Sequence, residues 1–129
     1  MIYLDSSVAL AELLDETEKP AETFWQANLV ASRLLVYEVG TTLNRRGFGE
    51  TLAADRDALL QTILLLDLTP EVLERALRPY PVHLRTLDAL HLATATFVAQ
   101  QAGSVRLATY DRRLAAAATA LGIPLAPLE

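Results

Sequence analysis

Four acids in this chain stand where chemistry is usually done. Asp5 follows the apolar run Ile2-Tyr3-Leu4 and precedes two hydroxyls, Ser6 and Ser7; Asp111 follows the apolar stretch Val105 to Thr109. Glu38 lies about one turn inside a helical pattern, among Leu34, Leu35 and Val39. Asp88 has Leu84 four residues before it and Leu92 four after, so its carboxylate shares a helix face with apolar groups. A lone acid there is costly unless paired or metal-bound. Carboxylates gathered in a low-dielectric cleft repel one another and persist only if cations neutralise them or some are protonated. Divalent ions supply that neutralisation, and two of them about 4 Å apart activate a water and stabilise the leaving oxygen of a phosphodiester. The chemistry expected of such a cluster is metal-dependent nuclease chemistry.

Each acid also has a plain structural explanation. Asp5 can cap the first helix, Asp111 can cap the last, Glu38 can pair with Arg45 or Arg46 at the surface, and Asp88 can favour the positive end of its helix. Two strand-end acids together with two acids on apolar helix faces are harder to explain that way. His91, three residues after Asp88, reads as a core histidine before it reads as a metal ligand or a ligand's partner. Trp25 and Tyr110 can stack on a base, although single aromatics in such settings more often pack.

The elements that must position these acids follow from the pattern of the chain. Ile2-Tyr3-Leu4 is a short strand, and Ser6 or Ser7 is expected to cap the helix beginning at Val8. Pro20 suits the first turn of a helix carrying Phe24 and Trp25. Leu29 to Ser32 reads as a strand. Ser32 is expected to cap a helix from Leu34 to about Arg46, stopped by Gly47 and Gly49. Thr51 to Thr62 reads as a helix, and Ile63 to Leu68 as either a strand or that helix's end. Thr69-Pro70-Glu71 starts another helix, with Thr69 as cap. Leu84 to Gln101 is the longest helical pattern, Val105 to Thr109 a strand, Asp111 to Leu121 a helix, and Ile123 to Ala126 a last short strand. Strands alternating with helices predict an α/β fold with a mainly parallel sheet and helices on both faces. In such a sheet the strand-end acids converge at the carboxyl edge.

With 129 residues, just over half of them apolar, the chain fits one domain, residues 1–129, with a core of its own. No apolar run approaches the roughly 18 residues of a membrane helix, and the first residues lack a signal peptide's basic flank, so the expected location is cytoplasmic. The absence of cysteine excludes disulfides and thiolate metal sites, and two histidines make a histidine-rich zinc site a poor fit. A metal here would be held by oxygen, which points to Mg2+ or Mn2+. The net charge of −5 argues against coating nucleic acid by bulk electrostatics. It leaves room for a local basic rim, since Arg45-Arg46 and Arg112-Arg113 offer bidentate donors to phosphates.

The chain resembles the PIN-domain ribonucleases of the VapC type, the toxin half of type II toxin–antitoxin pairs. The resemblance covers nearly the whole chain. It rests on Ile2-Tyr3-Leu4-Asp5-Ser6-Ser7, on Ser32-x-Leu34-x-x-x-Glu38, on Leu87-Asp88-Ala89-Leu90-His91-Leu92-Ala93-Thr94-Ala95, and on Thr109-Tyr110-Asp111-Arg112-Arg113-Leu114. It implies a three-layer α/β/α fold with about five short strands. It also implies hydrolysis of RNA phosphodiester bonds by metal-activated water, with Asp5, Glu38, Asp88 and Asp111 forming the Mg2+ or Mn2+ site and Ser7 and Thr109 as hydroxyl neighbours. The partners it implies are a small antitoxin of the VapB type and a second copy in a homodimer. Two other classes compete. A phosphatase-like hydrolase using Asp5 needs a second acid two residues later, where this chain has Ser7. A non-catalytic α/β protein-binding module, or a receiver-like one, would use Asp5 as cap or phosphoacceptor, but a receiver needs an acid pair after its first strand and its phosphoacceptor after its third, and neither is present.

Overall fold

Ile2–Leu4 (β1) is the hub of the sheet, pairing in parallel with Leu29–Ser32 (β2) on one side and Arg106–Ala108 (β4) on the other. Ile63–Leu66 (β3) adds to the outer edge of β2, giving the all-parallel order β3-β2-β1-β4 in a computed structural model that describes residues 1–129. Parallel neighbours need long crossovers, and the helices supply them. The chain winds outward from β1 to β3, then returns to place β4 on β1's free side. That reversal is a topological switch point, where open α/β sheets form their ligand crevice.

The period-2 alternation of the strands splits the core in two. Ile2, Leu4, Leu29, Ala31 and Ile63 face a layer made by Ser6–Leu13 (α1), Leu34–Arg45 (α2) and Ala53–Leu60 (α3), where Leu35, Val39 and Leu43 recur every four residues along α2. Tyr3, Val30 and Leu107 face the other way, against Thr86–Ala102 (α5) and Arg112–Ala120 (α6). Pro70–Ala76 (α4) packs on α5 from outside. The expected three-layer α/β/α arrangement with a parallel sheet is the one observed.

Three local expectations are corrected and one open alternative is settled. The first helix begins at Ser6 with Asp5 in the cap position and no side-chain cap bond, because the Ser7 hydroxyl is turned onto Asp5 instead. Phe24 and Trp25 lie in a five-residue 3-10 turn, Glu22–Gln26, and not in an α-helix. The bonds Phe24 N–H to Ala21 O and Ala27 N–H to Phe24 O close three-residue steps. Ile63–Leu66 is a strand, which settles the open alternative there. Ile123 to Ala126 makes only one bridge, between Leu107 and Leu125, because the flanking Pro124 and Pro127 have no N–H to extend a ladder, so the sheet has four strands. No helix is long and apolar enough to cross a membrane.

Candidate active site

All four strands end on one edge, and β1 and β4 flank the switch point there. Asp5 leaves the end of β1 and is 5% exposed. Ser7 Oγ donates to its Oδ1 at 2.5 Å, and Thr109 Oγ1, just past β4, donates to its Oδ2 at 2.7 Å. Both hydroxyls are themselves anchored, accepting the backbone N–H of Tyr110 and of Asp111 respectively. Burial pushes the Asp5 carboxyl above its ordinary range, against the two hydroxyl bonds and the nearby His91, which pull it down. Each carboxylate oxygen keeps a further lone pair beyond its one hydroxyl bond.

Glu38 lies one turn into α2, beside its buried stripe. The Ser32 hydroxyl accepts the Leu34 N–H and so fixes how α2 leaves β2. Glu38 does not pair with Arg45 or Arg46. Its Oε1 meets His91 Nε2 at 2.5 Å, and the other ring nitrogen of His91 meets the Tyr3 hydroxyl at 2.7 Å. The Tyr3 oxygen in turn accepts the Ser32 N–H. The sequence showed His91 as a core histidine and Tyr3 as a strand former. The clue to their link was the spacing of His91, three residues after Asp88 on the same helix face. With both ring nitrogens engaged, His91 is not free to bind a metal.

Asp88 sits in the first turn of α5, half-buried. Burial first, and then the charge of Asp111, raise its carboxyl above the ordinary range; His91 and Arg85 act the other way and Glu38 adds to the rise. Asp111 caps α6 as the structural explanation anticipated, its Oδ1 accepting the N–H of Arg113 at 2.8 Å and of Leu114 at 3.2 Å. Both bonds fall on one oxygen. Trp25 packs edge-to-face on Phe24 at 5.0 Å, which assigns it to packing. A cavity of about 510 Å³ lies elsewhere, between Thr17–Lys19 and Ala126–Glu129, and none of the four acids lines it.

The four acids are thus neighbours at one edge: Glu38 acts on both Asp5 and Asp88, and Asp111 on Asp88. They do not form a closed cage, since no three carboxylate or imidazole groups converge on one ion position. Each is turned to its own partner, Asp5 to hydroxyls, Glu38 to His91 and Asp111 to the α6 backbone. Mutual repulsion favours that separation where no cation intervenes. The donor set itself fits a hard ion: carboxylate and hydroxyl oxygens, no thiolate, a committed imidazole, and a buried carboxyl in Asp5 with no cationic partner in hydrogen-bond contact.

Comparison with known proteins agrees with this geometry. The PIN domain family model matches residues 2–120. Ribonuclease VapC46 of Mycobacterium tuberculosis is 38% identical over 125 residues, covering 95% of this chain and 93% of that protein. The crystal structure of VapC20 from the same organism, described as a sarcin-ricin loop cleaving toxin, is similar with a TM-score of 0.70 at 22% identity, covering 91% of this chain and 95% of that one. A toxin–antitoxin complex from Klebsiella pneumoniae gives 0.61 at 19% identity, covering 89% and 91%. The two structures speak for the fold; the family model and the VapC46 match carry the assignment, and by them the chain belongs to the PIN-domain family, among the VapC ribonucleases.

Proposed function

We propose that this chain is a divalent-metal-dependent endoribonuclease that cleaves RNA phosphodiester bonds as the toxin of a toxin–antitoxin pair. Asp5, Glu38, Asp88 and Asp111 are its catalytic and metal-holding groups, and Ser7 and Thr109 orient Asp5. The observation that carries the reading is Asp5 itself, a carboxyl held through both oxygens by hydroxyls at the β1–β4 switch point, buried, beside other acids and with no cationic group in hydrogen-bond contact. Burying a carboxyl without an ion-pair partner is costly to the fold, which favours a functional role for it.

Mg2+ or Mn2+ bound there would neutralise the acids and supply Lewis-acid chemistry at the scissile phosphate. The chain's own contribution is positional. The two hydroxyls keep Asp5 in one rotamer, α6 fixes Asp111 through its cap, and α5 brings Asp88 to the edge from the opposite layer to α2 and Glu38. The kinship with Ribonuclease VapC46 and the likeness to a toxin–antitoxin complex support RNA as substrate and a small antitoxin as partner; the VapB type of that antitoxin, a homodimer, a single PIN domain spanning 1–129 and a cytoplasmic location belong to the same reading by family resemblance.

An RNA cleavage assay with Mg2+ or Mn2+ tests this. Cleavage is expected to stop with EDTA and to fall at least about a hundredfold in Asp5→Asn, the scale of losing a catalytic group. Cleavage that ignores both treatments would come from a contaminant and would defeat the reading.

A further inference from the structure

The hydrogen-bond chain behind Glu38 has no part in the nuclease proposal as stated, yet it is the most deeply buried polar feature of the molecule. Tyr3 is 0% and His91 1% exposed, and they join β1 to α5 in the second core layer. Glu38, across the sheet edge on α2, is only partly covered, with 18% of its side chain exposed.

The hydrogen bonds join into one chain from the sheet to the cleft. An ionised Glu38 carboxylate only accepts, so Nε2 of His91 carries the proton between them. The other ring nitrogen, Nδ1, meets the Tyr3 hydroxyl at 2.7 Å, so the ring is held at both nitrogens. The Tyr3 oxygen accepts in turn from the Ser32 N–H at 3.2 Å, a group held by the β2 backbone. The result is a continuous hydrogen-bond chain, Ser32 N–H to Tyr3 to His91 to Glu38, running from the rigid sheet to a carboxylate at the cleft. The two rings sit edge-to-face, 5.9 Å between centroids.

Stability alone does not call for this arrangement. Replacing both members of a buried hydrogen-bonded pair by apolar groups of similar shape is close to neutral. What apolar groups cannot do is hold a carboxylate in one orientation.

We propose that His91, aimed by Tyr3, is the positioning residue for Glu38, holding one carboxylate oxygen so that the other is presented to a divalent ion at the cleft. This rests on the reading of Glu38 as a metal-holding group. Outer-shell partners of metal ligands typically change metal affinity by about 10- to 100-fold when removed. His91 and Tyr3 are expected to fall in that range.

The test is Mn2+ binding by titration calorimetry on the intact chain, alongside metal-free melting, for wild type, Glu38→Gln, His91→Leu, Tyr3→Phe and the pair His91→Leu with Glu38→Gln. Glu38→Gln is expected to weaken Mn2+ binding, and His91→Leu to weaken it by about tenfold or more. Tyr3→Phe, which removes a single oxygen atom, is expected to weaken it less while leaving the metal-free fold intact. In the Glu38→Gln background, His91→Leu should then change Mn2+ binding no further. Equal losses from His91→Leu with and without Glu38 would overturn the proposal, as would unchanged binding in both His91→Leu and Tyr3→Phe while Glu38→Gln is impaired. If His91→Leu fails to fold, Tyr3→Phe decides by the same criterion. Wild-type binding in Glu38→Gln removes Glu38 from the metal site, and the positioning role falls with it.

Discussion

Thr109 Oγ1 donates to Asp5 Oδ2 at 2.7 Å across 104 positions of the sequence, closing the gap between β4 and β1 at the sheet's switch point. The same oxygen accepts the Asp111 N–H at 2.9 Å, so one hydroxyl ties the most buried acid to the start of α6. Thr109 is thereby more than a strand terminus. It couples the orientation of two acids that lie on separate elements.

That coupling gives a first expectation. Thr109→Val keeps the shape and removes both bonds, and a hydrogen bond to a charged group is worth about 1.5–3 kcal/mol. Urea denaturation should show a loss on that scale, and cleavage should drop by about tenfold or more as Asp5 gains rotamer freedom. Ser7→Ala, which frees Oδ1 and the Tyr110 N–H, should act in the same direction. Stability lost with cleavage intact would make these hydroxyls structural only.

Asp88→Asn carries the opposite sign for stability. Burial and the charge of Asp111 raise the Asp88 carboxyl, so the folded chain binds more protons than the unfolded one from the ordinary value of 3.8 upward. Stability from this group is therefore present at low pH, lost as pH rises through that window, and absent above the raised value. In EDTA, the Asn variant should match wild type near pH 4 and melt higher at pH 7, with cleavage abolished. A variant that melts well below wild type at pH 7 would show that the Asp88 charge stabilises the fold.

Much of this was legible because strands and caps are local. Asp5 and Asp111 could be found from the apolar runs before them, and Thr69 from the proline that follows it, each bond spanning a few residues. The first-helix cap was misplaced because Ser7 answers to Asp5 and to Tyr110 N–H, a partner 103 positions away. Glu38's partner was likewise invisible. Arg45 and Arg46 are near in sequence, whereas His91 is 53 positions off and on the opposite face of the sheet. The last strand failed for a local reason that composition did reveal, since the prolines bracketing it cannot donate. What periodicity could not supply was side-chain pairing across layers, and the acids' surroundings consist of little else.

The basic rim is where the structure reorders the sequence's candidates. Arg45 and Arg46 lie at the far end of α2, about 16 Å of helix away from the edge where α2 begins. Arg85 instead precedes α5 at the edge, exposed, with a charge felt by Asp88, and Arg112 and Arg113 open α6 directly after Asp111. Arg33 shares that edge but is held by Asp67 at 2.6 Å. RNA phosphates passing the acids should therefore meet Arg85 and Arg112. Alanine at either position is expected to raise KM for RNA several-fold with kcat little changed. Each should also flatten the dependence of log affinity on log salt by about one unit, the signature of a lost phosphate contact. Arg45→Ala should leave both quantities as they are. If Arg45→Ala raises KM as much as Arg85→Ala does, the RNA crosses a different face, and the rim assignment is wrong.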